Sequence, residues 1–342
     1  MDDPKEIAAT LIRGDGIGPE IMDASLRVLD ALGAPFRWEE QTVGMAALKA
    51  HGDPLPTPAI ESIRKTKLAL KGPLTTPVGE GFRSVNVRLR EAFKLFANVR
   101  PARTYFPGGR YQDIDIILIR ENTEGLYVGV EHVIPIDDDP RAVAEASGII
   151  TRFGCRRIAQ FAFNYAVSHG RKKITIVHKA NILKMLTGLF LETAQDVGKK
   201  YAGRVEVEER IVDNCAMQLV LNPQQFDMIL TTNMFGDILS DEIAGLVGGL
   251  GLAPGGNIGA DAAIFEAVHG SAPDIAGQGI ANPSALLLAS AMMLDYVGEG
   301  ERAKRLRGAL YRALHEDRIW TKDLGGATLT RDFANAVITR LE

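Results

Sequence analysis

Two carboxylates pose the first question. Asp237 and Asp241 close the run FDMILTTNMFGDILSD, four residues apart. On a helix that spacing puts both on one face, and two hard oxygen donors suit Mg²⁺ or Mn²⁺. The apolar, β-branched residues 226–232 predict a buried strand. Gly236 is expected to break it, and 237–245 to be helical, so that both acids meet the positive pole of the helix in its first turn. On spacing alone, an N-cap Asp followed by a solvated acid explains the pair equally well. Arg90, Arg100 and Arg120 form a second set. Arg100 precedes a proline and so lies in extended chain, and Arg120 closes an apolar strand. With Ser84 and Asn86 they would hold a small ligand carrying several carboxylates, which the guanidinium fork grips in bidentate fashion. Singly, each would be an ordinary exposed arginine. Lys179 follows an apolar strand and an imidazole, and a lysine in a closed cleft near a divalent cation can act as a base. Tyr127, ending RENTEGLY, is either a phenolic acid or a half-buried packing aromatic. Cys215 reads as a small core residue, since no His or Asp partner lies at a recognisable spacing. His269 opens a glycine-rich loop where a nucleotide's sugar and phosphate could lie.

The elements that must position these groups alternate between strand and helix, which implies parallel βαβ units and an α/β fold. Strands are expected at 6–12, 68–70, 114–119, 173–177 and 205–212. Helices are expected from Pro19 to about 32, at 84–96 and 152–168, from 181 to about 200, and at 284–297, with a final helical pair. The broken, acid-rich stretch 128–150 reads as a hairpin arm. Arg120, Lys179, Asp213 and Asp237 all fall just after strand ends, the edge where open α/β sheets bind ligands. That recurrence favours a site over a solvated pair of acids. The turn at Gly14, Asp15 and Gly16 resembles a Rossmann dinucleotide loop, but Pro19 stands where the third glycine should be. A second near-miss at Gly249 and Gly251 has Pro254 in that place. The fold is therefore not a standard Rossmann fold.

With 342 residues the chain can build two core-forming lobes. Its 46% apolar and 24% charged composition is that of an ordinary enzyme. A net charge of −4 gives no electrostatic reason to expect nucleic acid or an anionic membrane. Two cysteines without CxxC spacing imply a reducing compartment. The acidic MDDPKE, followed almost at once by a strand, suggests no targeting leader, hence a cytoplasmic protein. The longest apolar run, 285–294, is too short to span a bilayer.

The segments GDGIGPE, KGPLTTP, SVNVRLR, FANVRP, RENTEGLY, VHKANI, NMFGDILSD and HGSAPDIAGQGIANP together resemble the isocitrate and isopropylmalate dehydrogenase family, nearly end to end. Within it the NAD-dependent isocitrate dehydrogenase branch is the most similar. The resemblance implies a large cofactor-binding α/β domain from 1–95 and 248–342. It also implies a smaller α/β domain from 96–124 and 152–247 and a dimer clasp at 125–151. It implies that Arg90, Arg100 and Arg120 hold substrate carboxylates, with Ser84 and Asn86 on the carboxylate particular to isocitrate. Tyr127 and Lys179 match the catalytic pair, and Asp213, Asp237 and Asp241 match ligands of Mg²⁺ or Mn²⁺. Thr76 matches a threonine beside the nicotinamide, and Asn181 falls among the substrate residues. The cofactor set comprises Thr76, Asn86, His269, Gly270, Ala272, Asp274, Ile275 and Asn282. In the family, the lysine and the first aspartate come from the partner subunit, which implies a homodimer with shared sites. NADP-using relatives carry Lys-Tyr after HG(S/T)AP to bind the 2′-phosphate. Here Asp274-Ile275 implies NAD, because a carboxylate accepts from a ribose diol and repels phosphate, and no lysine is expected near to offset it. Ser84 and Asn86 favour isocitrate over isopropylmalate. IVDNCAMQLV, GLAPGGNIG and AMMLDYVGE also resemble the homoisocitrate branch, but the substrate-contacting helix resembles the isocitrate one, and specificity lives in the site. A non-catalytic regulatory subunit is disfavoured because the tyrosine, lysine, three aspartates and three arginines are all present.

Overall fold

The computed structural model describes residues 6–75 and 84–341. In chain order it begins β1 (Ile7–Ile12), α1 (Gly18–Ala31), β2 (Phe36–Glu40), α2 (Met45–His51), α3 (Thr57–Thr66), β3 (Leu68–Lys71), α4 (Val85–Ala92) and β4 (Ala97–Arg103). The middle of the chain forms β5 (Asp115–Glu121), β6 (Gly125–Ile136), β7 (Asp139–Ile149), α5 (Arg152–Ser168), β8 (Lys173–His178), α6 (Leu186–Gly198), β9 (Glu206–Ile211), α7 (Val212–Leu221), β10 (Met228–Thr231) and α8 (Asn233–Val247). It ends with β11 (Pro254–Ile258), β12 (Ala263–Ala267), α9 (Ser284–Tyr296), α10 (Gly300–Tyr311) and α11 (Thr330–Ile338). These form two compact units, one of residues 1–95, 101–113 and 244–342, the other of 96–100 and 114–243.

In the first unit the strands run in the order β2-β1-β3-β12-β11. All neighbours are parallel except the β11–β12 pair, where Pro254 faces Ala267. Helix α9 is apolar on every side and buries Leu286, Leu287, Met293 and Leu294 completely, as a helix in the middle of a core must. In the second unit β5, β10, β8 and β9 are neighbours in that order and all parallel, as alternation of strand and helix demands. Strand β10 is only four residues long and wholly buried between β5 and β8. β6 and β7 form a separate antiparallel hairpin, exposed along most of its length. Among the described residues no helix is long and apolar enough to cross a membrane.

Most elements fall where sequence places them, but four differ. Helix α4 stops at Ala92 instead of reaching 96, with Lys94 at a φ of +49°. Helix α6 starts at Leu186, leaving 181–185 as irregular chain after β8. Asp213 follows the end of β9 as expected, but already lies inside the first turn of α7, a helix that sequence does not place. Gly236 does not break the chain: α8 runs straight through it from Asn233, so Asp237 lies in the second turn and the first turn holds no acid. The reason for that glycine is packing. A Cβ on Gly236 would come within 2.6 Å of Cγ and 2.8 Å of Cβ of Arg120. The absence of a side chain lets α8 lie directly on that arginine.

Gly236→Ala should therefore behave as an overpacking substitution, although alanine is the better helix former. The expected loss is about 1–3 kcal/mol of stability, read as a Tm several degrees lower. An unchanged or raised Tm would show that α8 does not depend on this close approach.

Candidate active site

Arg120 arrives at the end of β5, level with Thr231 of β10, and is 1% exposed. A guanidinium taken out of water must be paired or it is very costly. Its Nε and Nη2 donate to Asn233 Oδ1 at 3.1 and 2.7 Å, and its Nη1 donates to Asp237 Oδ1 at 2.5 Å. Asn233 and Asp237 are one helical turn apart on α8, and Asp241 is one turn further, so one face of the helix carries all three. Arg100 reaches the same face from β4. Its Nε donates to Asn98 Oδ1 at 2.7 Å and its Nη1 donates to Ser240 Oγ. The same guanidinium lies 3.4 Å from Asp241 Oδ1 and 3.5 Å from Asp237 Oδ1. Two arginines thus balance two aspartates. Burial still pushes the Asp241 carboxyl above its usual range; Arg100 opposes that, Asp237 adds to it, and Arg120 opposes it.

Tyr127 closes the cluster. Its hydroxyl donates to Asp237 Oδ2 at 2.7 Å, and its ring lies beneath the Arg120 guanidinium at 5.3 Å. The base of the hairpin that carries it is pinned by two further acids. Glu121 accepts from the backbone N–H of Thr123 and Glu124. Glu124 accepts from the backbone N–H of Thr151 at 2.9 Å and from its hydroxyl at 2.6 Å. Sequence reasoning missed Asn98, Asn233, Ser240, Glu121 and Glu124. Only Asn233 left a signal, its four-residue spacing from Asp237.

Lys179, at the end of β8, donates to Asp213 in α7, and this bond holds the Asp213 carboxyl below the usual carboxylate range. The pair stands apart as a unit: among the described residues, no three His, Cys, Asp or Glu side chains gather where they could hold a metal ion. Asp237 and Asp241 are two hard oxygen donors on one helix face, a set that would fit a divalent ion only if further ligands came from elsewhere. Asn181 is exposed in the irregular chain after Lys179. His178 is buried, its Nδ1 accepts from the Ala180 N–H at 3.0 Å, and burial lowers its pKa, so it serves the turn and not the chemistry.

The first unit carries the remaining residues. Arg90 lies in the last turn of α4, one helical turn after Asn86, whose Oδ1 is buried with no partner among the described residues. Both line a small polar cavity with Lys71, Asn257 and Glu266. Lys71 Nζ sits 2.6 Å from Glu266 Oε2, and Asn257 donates to Oε1 at 2.7 Å. Burial works against that carboxylate, but the Lys71 ammonium holds it below its ordinary range. Ser84 caps α4 by position, without a side-chain bond to the helix. Thr76 lies outside the described residues.

A larger cavity of about 530 Å³ gathers His269, Gly270, Ala272, Ile275 and Asn282. It is walled also by Gly251, from the second near-miss loop, and by Ile17, Ile280, Ala281, Lys322 and Asp323, which sequence did not mark as cofactor residues. Its size and apolar lining suit an aromatic ligand with a few fixed polar contacts. His269 Nε2 is buried without a partner among the described residues, the mark of a site that awaits one. Burial lowers the pKa of His269, which keeps its ring neutral. Asn282 donates to Asp323 at 3.0 Å. Asp274 is exposed and outside the cavity wall, whereas Lys322, from a segment 48 residues further along the chain, is in it.

A sequence model of the isocitrate/isopropylmalate dehydrogenase family matches residues 8–337. The chain belongs to that family. It is 47% identical to the catalytic subunit 5 of the mitochondrial NAD isocitrate dehydrogenase of Arabidopsis thaliana, with 98% of this chain and 88% of that protein covered. It is 45% identical to subunit alpha of the human enzyme, with 97% and 90% covered. The crystal structure of isocitrate dehydrogenase from Methylococcus capsulatus superposes with a TM-score of 0.94 at 51% identity, covering 98% of this chain and 99% of that one. The resemblance read from the motifs, the fold and the identity as a dehydrogenase are borne out. The cytoplasmic expectation is overturned: these plant and human relatives carry "mitochondrial" in their names. An acidic first segment is no guide to compartment.

Cys155 and Cys215 are both buried, and burial pushes each thiol up to about 12. At pH 8 only about one molecule in ten thousand would carry either thiolate. A thiol reagent at that pH should leave both cysteines unmodified in the native protein and titrate both in denaturant. Rapid native labelling of Cys215 would contradict its place in the core.

Proposed function

We propose that this chain catalyses the NAD-dependent oxidative decarboxylation of isocitrate to 2-oxoglutarate and CO₂, the activity named for its relatives. The observation that carries the proposal is the Arg100/Arg120 pair laid along Asp237 and Asp241, with the Tyr127 hydroxyl on the same carboxylate. Such a cluster suits a polycarboxylate that is bound beside a divalent cation. Mg²⁺ or Mn²⁺, held by Asp237, Asp241 and Asp213 of a second copy, would polarise first the 2-hydroxyl and then the 2-ketone as a Lewis acid. The residues of the chain do the rest. Arg90, Arg100 and Arg120 grip the substrate carboxylates and fix C2 and C3 in place, and Ser84 and Asn86 take the carboxylate that distinguishes isocitrate. Lys179 Nζ is the group that takes the proton of the hydroxyl as the C2 hydride passes to NAD, supported by Asn181. Loss of CO₂ leaves an electron pair on C3, and Tyr127 delivers its proton there.

The 530 Å³ cavity would seat the adenosine half of NAD, with His269, Gly270, Ala272, Ile275 and Asn282 around it and Thr76 toward the nicotinamide. Asp274 favours a ribose diol over a phosphate, while Lys322 in the wall pulls the other way. We further propose that the enzyme is a homodimer. The Lys179–Asp213 pair would serve the partner's site, and the exposed Val130, Val133, Ile134 and Ile136 of the hairpin would be covered by the partner.

Steady-state rates with isocitrate and homoisocitrate, each with NAD and NADP, test this reading. Isocitrate with NAD should be the best pair by at least about tenfold in kcat/KM, a gap of one hydrogen-bonding interaction, and EDTA should abolish turnover. Asp274→Lys with Ile275→Tyr should move the cofactor ratio toward NADP, and Lys322→Ala should move it further toward NAD. A better rate with homoisocitrate, or full activity in EDTA, would sink the assignment. Shared sites add a second test: heterodimers of inactive Lys179→Met and inactive Tyr127→Phe chains should regain activity, since one of the two pockets is then intact. Verified heterodimers without recovery would show that each chain supplies its own lysine.

A further inference from the structure

The GDGIGPE turn resembles a phosphate loop and is not one, which leaves its purpose open. The structure assigns it another: we propose that Asp15 is a positioning residue that clamps Thr75 against the wall of the cofactor cavity. The proposal rests on reading the 530 Å³ cavity as the cofactor site.

Asp15 is 8% exposed, and its two carboxylate oxygens take backbone N–H groups from the first residue of α2 and from the loop after β3. Oδ1 accepts from Met45 at 2.8 Å and Oδ2 from Thr75 at 2.8 Å. Bonds to an ionised acceptor are the strong ones, and here they hold backbone rather than side chain. Gly44, at a φ of +90°, makes room: a Cβ there would strike the carboxylate. The backbone around Asp15 is stitched to the same neighbours. Its own N–H donates to Pro73 O at 2.7 Å, and the Ile17 N–H donates to Ser271 O at 2.8 Å. Gly14 and Gly16 are pressed so close to Pro73 and Ser271 that neither admits a Cβ. Thr75 is in turn tied to the Ser271 segment, its Oγ1 lying 2.7 Å from Ser271 Oγ.

One end of this knot belongs to the cavity. Ser271 lies between Gly270 and Ala272, and Ile17 follows the turn; Gly270, Ala272 and Ile17 all form cavity wall. One buried carboxylate therefore fixes Thr75, whose hydroxyl braces the Ser271 segment between two residues of that wall. No glycine-rich phosphate cradle is needed for the dinucleotide to meet a preformed surface. Asparagine at position 15 keeps the shape but offers one acceptor oxygen instead of two, and turns its NH₂ against the other N–H.

The test is NAD binding by calorimetry to the full-length protein, alongside KM for isocitrate at saturating NAD. Asp15→Asn and Thr75→Val should each weaken NAD about tenfold or more, the scale of one lost buried hydrogen bond. Both should move the isocitrate KM by less than about threefold. Thr75→Ser keeps the hydroxyl and should bind NAD within about twofold of wild type. If Asp15→Asn does not fold, the Thr75 pair decides alone. Wild-type NAD binding with unaltered Thr75→Val and Asp15→Asn proteins would overturn the clamp. So would equal losses for NAD and isocitrate, which mean general loosening. A wild type that binds no NAD would overturn the reading of the cavity and the clamp with it.

Discussion

The second unit depends on the burial of one guanidinium. Arg120 is 1% exposed, and nearly every nearby feature answers its need for partners. Gly236 has no side chain because α8 must lie on the arginine's stem. Asn233 and Asp237 stand one turn apart because that spacing lets one helix face take three of the guanidinium's N–H donors. Tyr127 stacks on the other side and turns its hydroxyl to the same aspartate. Taking one partner from such a set leaves a charge buried and unpaired, which is far worse than never having the pair. The cluster is therefore fixed in geometry before any substrate arrives, and preorganised charge is what a reaction that develops and moves negative charge requires.

The first unit solves a similar problem with backbone. Asp15 is a buried acid without a cationic partner in its two bonds; it is met by the N–H of the first residue of α2 and by that of Thr75 in the loop after β3. Lys71 and Glu266 form a second buried pair beneath the polar cavity that holds Asn86 and Arg90. In both places, loops rich in glycine and proline, which on their own would carry little order, are held by one well-satisfied charge.

Much of this was legible in the chain. Alternating strand and helix gave the parallel α/β units, and the stretch 128–150 was readable as an arm because it lacks either period. The motif residues named from the sequence fall into recognisable groups: Arg100, Arg120, Tyr127, Asp237 and Asp241 in one, and His269, Gly270, Ala272, Ile275 and Asn282 in another. What was not legible has a common cause. Gly236 reads as a breaker by propensity, yet its role is set by an arginine 116 positions earlier. Lys322 enters the cavity wall from a distant segment, and Asp15 looks like part of a phosphate loop because a motif shows spacing and not what a side chain meets. Local rules fail where tertiary packing decides.

The same charges are worth different amounts in different places, and this separates fixed pairs from exchangeable ones. Arg120–Asp237 and Lys71–Glu266 have at least one partner almost wholly out of water, so they hold structure and cannot be cheaply broken. Lys179–Asp213 is different. The lysine side chain is 27% and the aspartate 68% exposed, a setting in which an ion pair contributes about 0–1 kcal/mol. Fold stability gives little reason for a lysine at the end of β8 to face an acid in the first turn of α7. Exposed Asp274 and Lys322 stand in the same relation to the first unit. A charge that the fold does not need, set at the end of a buried strand or on the rim of a cavity, is free to exchange its partner for a ligand. By that criterion the Lys179–Asp213 pair can open to a ligand, whereas the Arg120 cluster can only meet one with its geometry already fixed.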